Sequence, residues 1–267
     1  MSLKPIVCCL VLTVNFCGLR LTAMQTDTLP FPRLSDSLTQ AQPVARNTGD
    51  YRLHGAGIWV PAGLMAYGVI ALHVDALLDI NESVKRVVYT DRLPKKVTLD
   101  NYLQYAPAGA VYLLNLAGVH GKNKFVDRTI IYAMSNLFVG IIVTPVKHLT
   151  AETRPDGSDN LSFPSGHTAT AFAAAEFLRE EYRDVSPLYG IGGYAAAIAT
   201  GYLRMSNNKH WLADVVAGAG VGMLSTRVAY LIYPAIKRKF SKKKELTTLV
   251  MPVYQAGNFG IGAVHYF

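Results

Sequence analysis

Charge is scarce in this chain: Asp, Glu, Lys and Arg make up 16% of its 267 residues, against about 25% in an ordinary soluble domain. Hydrophobic residues make up 51%, so the shortfall points toward a membrane. Cysteine is scarcer still. All three cysteines, Cys8, Cys9 and Cys17, lie in an opening that carries Lys4, an apolar stretch from Ile6 to Phe16 and small residues at Thr22 and Ala23. That is the layout of a secretory signal peptide over residues 1–23, with an uncleaved N-terminal anchor as the other reading. Cleavage near Ala23 leaves a mature chain without cysteine, which excludes thiol catalysis, disulfides and cysteine-held zinc. Period-two alternation over a useful length is also missing, as are an internal repeat and a composition break that separates two globular domains.

What is present is basic and apolar. The net charge is +8, which suits nucleic acid, anionic lipid or an anionic substrate, so its location decides. The largest basic run, Lys237, Arg238, Lys239, Lys242, Lys243 and Lys244, follows an apolar segment and has no interleaved aromatics. No nucleic acid is therefore expected; under the positive-inside rule the run is a cytoplasmic anchor. Protein partners are not indicated.

Residues 24–57 are polar, carry Pro30, Pro32 and Pro43, and form a leader. Apolar stretches then recur at Ile58–Leu78, Tyr102–Val119, Thr129–Val146, Thr168–Tyr182, Leu188–Leu203 and Trp211–Tyr233. Ala, Leu, Gly and Ile dominate them, so helices are expected, and a spanning helix needs about 20 apolar residues. Runs of small residues such as Ala217, Gly218, Ala219, Gly220 and Gly222 let helix backbones approach closely. The fold class expected is all-α, a bundle of five to six mostly membrane-embedded helices over residues 58–234, followed by a basic C-terminal tail at 235–267. Residues 253–267 suit one extended strand of no assigned function.

Three segments place polar residues at the ends of apolar ones. In the first, Lys147 closes the third helix and Arg154 sits in a turn enforced by Pro155, Asp156 and Gly157. The second is Pro164, Ser165, Gly166 and His167, just before the Ala-rich fourth helix. In the third, Arg204 closes the fifth helix, His210 opens the sixth, and Asp214 follows four residues later. A phosphate monoester carries about −1.5 to −2 charge near neutral pH and needs many donors. Lys147, Arg154 and Arg204 supply cations, Ser165 caps the helix, and Gly166 admits close backbone approach to the free amides. His210 and Asp214, four apart on one helix face, form an orienting pair that leaves one imidazole nitrogen free as a nucleophile. His167 is then the natural general acid for the departing alkoxide. Glu176, inside the fourth helix, and His73, Asp75 and His148 belong to no motif.

These blocks resemble the signature of the type 2 phosphatidic acid phosphatase superfamily: Lys, six residues, Arg-Pro; then Pro-Ser-Gly-His; then Ser-Arg, five residues, His, three residues, Asp. The one departure is Leu203, where the family has serine. The resemblance implies His210 as nucleophile, Asp214 as its partner, His167 as acid and base, and Lys147, Arg154, Ser165, Gly166 and Arg204 as phosphate binders, with no metal or other cofactor. It implies a membrane lipid phosphatase acting on phosphatidic acid, lipid A, polyprenyl pyrophosphate or phosphatidylglycerol phosphate. A soluble secreted acid phosphatase, a vanadium-dependent haloperoxidase and a phosphotransferase to alcohols are alternatives within the same resemblance.

Charge and hydropathy disagree about topology. Six spans after a cleaved signal put the catalytic loops in the cytoplasm and the lysine-rich tail outside, against the charge rule. Five spans, with Ile58–Leu78 at the interface or re-entrant, reverse both, and a periplasmic or external site in a bacterial-type membrane is expected.

Overall fold

The computed structural model describes residues 8–15, 18–23, 55–93, 96–240, 248–255 and 258–265. It divides into two units, one of Arg46–Lys237 and one of Met1–Ala45 with Arg238–Phe267. In the second unit lie four antiparallel strands, β1 (Cys8–Asn15), β2 (Gly18–Ala23), β3 (Thr248–Gln255) and β4 (Asn258–His265), in the order β2-β1-β4-β3. The C-terminal stretch expected as one strand is thus a hairpin, with Gln255 opposite Asn258. Part of the segment expected as a signal peptide pairs with it, Leu12 lying opposite Ile261. Most of the polar leader, and Lys242 to Lys244, fall outside the described residues.

The first unit is helical, as the apolar pattern requires. It contains α1 (Gly55–Ile70), α2 (Asp75–Lys85, continued by a π turn over Arg86–Thr90), α3 (Asp100–Leu103), α4 (Ala106–Leu116), α5 (Phe125–Thr150), α6 (Gly166–Tyr182), α7 (Pro187–Ser206) and α8 (Leu212–Phe240). Among the described residues, only α5 and α8 are long and apolar enough on their own to cross a membrane. The segment expected at Ile58–Leu78 breaks after α1 and turns by 95°, so that α1 and α2 form either one broken span or a re-entrant pair. Likewise Tyr102–Val119 divides into α3 and α4, because Tyr105 and Pro107 frame a new helix start.

Helix α6 lies at the centre. Ala169, Ala171, Ala173, Ala174 and Ala175 are fully buried, as are Phe177 and Tyr182. Its neighbour α8 approaches backbone to backbone: a Cβ on Gly222 would stand 2.1 Å from the Ala169 carbonyl oxygen, and one on Gly218 2.6 Å from that of Ser165. Only glycine permits this spacing. Glu176 is completely buried on α6 and is paired with Arg179 at 2.6 Å and with Arg227 of α8 at 2.6 Å. Its role is internal ion pairing, which fits its exclusion from the motif residues.

Helices α5 and α8 run antiparallel. Asp127, in the first turn of α5, bonds Lys237 near the end of α8 at 2.7 Å, while Lys147 closes the other end of α5 beside the start of α8. The ends of α5 and α7 and the starts of α6 and α8 therefore gather at one pole of the bundle, and all three sequence blocks lie there.

Candidate functional site

After Thr150 the chain leaves α5 through Ala151, a left-handed residue with φ 45° and ψ 36°. Lys147, one turn earlier, reaches across the following loop and donates to the carbonyl oxygens of Leu161 and of Ser162, the latter at 3.1 Å. Arg154 is fixed on several sides. Its Nε donates to Asp159 Oδ1 at 2.7 Å, one terminal nitrogen donates to Leu161 O at 3.3 Å, and the other donates to Lys209 O at 3.1 Å. This last nitrogen also lies 3.3 Å from His210 Nε2. The first block thus holds both its cations against loop carbonyls, within reach of the third block.

Ser165 is buried and caps α6; its Oγ accepts from Thr168 N at 3.4 Å and from Thr168 Oγ1 at 2.9 Å. Its own amide donates to the Asp214 carbonyl oxygen at 3.0 Å, tying α6 to α8. A Cβ on Gly166 would meet only Val143 Cγ1, at 3.8 Å, an ordinary contact. Protein packing therefore does not demand glycine there, whereas an anion seated on the helix N-terminus does benefit from its absence of side chain.

The third block departs from expectation in one respect. Helix α8 begins at Leu212, so His210 precedes the helix rather than opening it, and the pair does not arise from a shared helix face. Asp214 instead sits in the first turn of α8, where its Oδ2 accepts from the backbone amide of Trp211 at 2.9 Å, half of a capping box. The same oxygen lies 3.3 Å from His210 Nδ1 and accepts from Ser162 Oγ at 2.5 Å. One carboxylate thereby caps the helix and orients the imidazole. With Nδ1–H donated to Asp214, Nε2 carries the lone pair.

His210 is only 3% exposed. Burial, then the positive field of Arg204, Lys147 and Arg154 and the nearby His167, hold its pKa well below the usual imidazole value. It is neutral at physiological pH. His167 is depressed too, by burial first and then by Arg204, with Asp100 acting upward and Arg154 and Lys147 downward. Direct contacts join the three blocks: Arg154 lies 3.3 Å from His210 Nε2, and the Ser165 amide donates to the Asp214 carbonyl oxygen at 3.0 Å.

Several contacts here had no sequence motif. Ser162 touches both Asp214 and, at 3.4 Å, His210 Nδ1. Asp159 anchors Arg154. Asn81 of α2 accepts from Ala213 N at 3.1 Å, and Lys85 of α2 lies 4.7 Å over the Trp211 ring, so α2 braces the start of α8. From α3, Asp100 pairs with Arg204 at 2.8 Å, and Asn101 Oδ1 lies 2.9 Å from His167 Nε2. Only Ser162 was within reach of sequence reasoning, because a hydroxyl three residues before the Ser165 cap falls in the same loop. Among the described residues no group of three or more His, Cys, Asp or Glu side chains is gathered to hold a metal ion.

Residues 128–238 match the PAP2 superfamily, and every residue of the three blocks falls inside that range. A lipid A 1-phosphatase of Porphyromonas gingivalis is 34% identical over 177 residues, covering 63% of this chain. This chain spans 40% of that relative's length. The crystal structure of a transmembrane PAP2 type phosphatidylglycerolphosphate phosphatase from Bacillus subtilis aligns at TM-score 0.48 and 20% identity, covering 70% of this chain and 100% of its own. That of Aquifex aeolicus LpxE aligns at 0.44 and 21%, covering 56% and 94%.

Proposed function

We propose that this chain, whose residues 128–238 match the PAP2 superfamily, is a membrane phosphatase that removes phosphate from a lipid-linked substrate through a phosphohistidine. The observation that carries the proposal is the neutral, buried His210, oriented by Asp214 and surrounded by Lys147, Arg154 and Arg204. A cationic cradle alone would bind phosphate; an oriented neutral imidazole within it is a nucleophile.

In this mechanism the phosphoryl oxygens take donors from Lys147, Arg154, Arg204, Ser165 and the amides at the start of α6. His210 Nε2 attacks phosphorus as the bond to the leaving oxygen breaks, and His167 gives its proton to the departing alkoxide. The contact between Arg154 and His210 Nε2 yields to the substrate, whose oxygens then occupy the guanidinium. Phosphorylation leaves the His210 ring cationic, and the Asp214 carboxylate stabilises that charge through Nδ1–H. Water attacks next; His167 accepts its proton, the P–N bond breaks, and inorganic phosphate leaves with His210 restored.

The lipid nature of the substrate is supported by the position of the cradle at the ends of α5 and α8, the two helices among the described residues that are long and apolar enough to cross a membrane on their own. Helix α8 starts at the site and ends in Lys237, Arg238 and Lys239, so the cradle and the basic end belong to opposite faces of the membrane. With the basic end cytoplasmic, the cradle faces the periplasm or the exterior. Reporter fusions at positions 160 and 245 test this, and a cytoplasmic signal at 160 refutes it.

The test of function is phosphate release by detergent-purified protein, without added divalent metal, from lipid A, phosphatidic acid, polyprenyl pyrophosphate and phosphatidylglycerol phosphate. Lipid A comes first because the P. gingivalis relative is a lipid A 1-phosphatase. Enzyme quenched in alkaline denaturant should carry acid-labile, base-stable phosphate on His210, and His210→Ala should abolish both label and turnover. Full activity in His210→Ala would refute the mechanism.

A further inference from the structure

The segment before α4 lies outside the PAP2 domain range, yet it touches two of the site's polar groups. Asp100 of α3 is 1% exposed, and its Oδ2 accepts from an Arg204 terminal nitrogen at 2.8 Å. The next residue, Asn101, places Oδ1 2.9 Å from His167 Nε2. Gln104 secures the turn by donating to the Asn101 carbonyl oxygen at 2.9 Å. Just upstream, the Asn207 side chain clasps the Val97 backbone in both directions, accepting at 3.0 Å and donating at 2.7 Å. The strap is therefore tied to the third block at two points and to the second at one.

We propose that Asp100 and Asn101 are positioning residues, and that α3 decides which nitrogen of His167 exchanges the proton with the leaving group. With Asn101 Oδ1 accepting from Nε2–H, the ring is fixed and Nδ1 is left to give and retake the proton. Asp100 acts on the same ring through Arg204. It neutralises the guanidinium that most strongly opposes protonation of His167, and it occupies one terminal nitrogen, leaving the buried and unpartnered Arg204 Nε to donate to a phosphate oxygen. The charged groups acting on His167 come from each surrounding element: Asp100 of α3, Arg204 of α7, Arg154 of the loop and Lys147 of α5. His210 is its titratable neighbour.

This inference rests on the proposed phosphatase reading, and two substitutions separate them. Asn101→Asp sets a carboxylate against Nε2 and should move the alkaline limb of the kcat profile upward by about one pH unit. Asp100→Asn should move the same limb downward, because Arg204 then acts unopposed. Asn101→Leu should lower kcat about tenfold with KM nearly unchanged, as expected for a lost orienting hydrogen bond. A merely structural role would reduce the folded fraction in all three and leave the limb in place. Superimposable profiles for wild type, Asn101→Asp and Asp100→Asn would overturn the proposal. Should the wild type release no phosphate, the function reading fails by itself, and the His167 ring is titrated by NMR in histidine-labelled protein, assigned with His167→Gln. An upward shift in Asn101→Asp with a downward one in Asp100→Asn then upholds the role of α3, and no shift in either overturns it.

Discussion

Replacing Asp214 by Asn preserves the shape of the side chain and removes its charge, so the consequences can be worked through atom by atom. Oδ2 receives three donors, from Ser162 at 2.5 Å, Trp211 N at 2.9 Å and His210 Nδ1 at 3.3 Å, whereas Oδ1 is buried without a partner. An amide oxygen in the Oδ2 position keeps all three donors and leaves a buried NH2 with no acceptor. The opposite flip sets NH2 against the Trp211 amide, two donors facing each other, and is worse. The first arrangement costs about 1–3 kcal/mol of stability through the unsatisfied donor. The catalytic loss is separate. A unit negative charge 3.3 Å from a cationic ring contributes roughly 5 kcal/mol at an effective dielectric constant of about 20. A charge-assisted hydrogen bond contributes a net of about 1.5–3 kcal/mol. At about 1.36 kcal/mol per decade, the two figures place the fall in kcat between about 10-fold and about 5,000-fold. KM should change little, because Asp214 acts on the nucleophile and not on the phosphate. Phosphate release from lipid phosphate in detergent micelles, with thermal melting to show that the variant is folded, measures both effects. A folded Asp214→Asn protein whose kcat stays within about threefold of wild type would refute the idea that Asp214 stabilises a cationic phosphohistidine.

Other substitutions probe the cradle and the packing behind it. Gly166→Ala should leave the melting temperature unchanged or slightly higher, since Ala gains up to about 1 kcal/mol over Gly in a helix and its Cβ meets only Val143; activity and inorganic phosphate inhibition should both weaken, and unchanged phosphate affinity would remove Gly166 from the anion site. Gly222→Ala should do the reverse, lowering stability by about 1–3 kcal/mol through overpacking, because its Cβ would collide with the Ala169 carbonyl; a melting curve identical to wild type would contradict the close contact of α6 and α8. The pKa of His210 is held below its unfolded value of about 6.5 by burial and neighbouring cations. Below that pH the unfolded chain takes up a proton that the folded chain resists, so stability is full above pH 6.5 and is lost progressively as pH falls toward the folded value. His167 acts in the same direction. Melting temperature measured from neutral to acidic pH should therefore decline below about 6.5, and His210→Gln should flatten that slope; an equal slope in the variant would show that His210 is not buried as a neutral ring.

How much of this was legible beforehand follows from the range of each interaction. Lys147, Arg154, Ser165, His167, Arg204, His210 and Asp214 were recognisable because each sits at a helix end or in a turn, and caps and turns are short-range devices. The pairing of His210 with Asp214 was anticipated from its spacing, though for a different geometry: Asp214 reaches back as a cap in the first turn of α8, and His210 lies before the helix. The charge rule suggested a re-entrant Ile58–Leu78, but the position and the 95° angle of the break were not visible, since Ala71, Leu72 and Val74 continue the apolar pattern of α1. The number of helices able to cross a membrane was likewise obscured, because α6 is apolar in its first half and carries Glu176, Arg179, Glu180 and Glu181 in its second. Inside the bundle those charges are met partly by one another, as Arg179 meets Glu176 and Glu180, and partly by α8, through Arg227 and Tyr230.

Short-range patterning along the chain already carries the groups of the proposed site: three cations, a capped glycine turn, two imidazoles and one carboxylate, each at or near the end of an apolar segment. The tertiary structure decided which distant residues complete that chemistry. Asp100 meets Arg204 across 104 positions and Asn101 meets His167 across 66, and neither partnership has a local signature. Such contacts exist because α6 and α8 close to backbone distance at Gly218 and Gly222, and because the four helix ends converge at one pole. That convergence is a property of packed surfaces, and no periodicity along the chain encodes it.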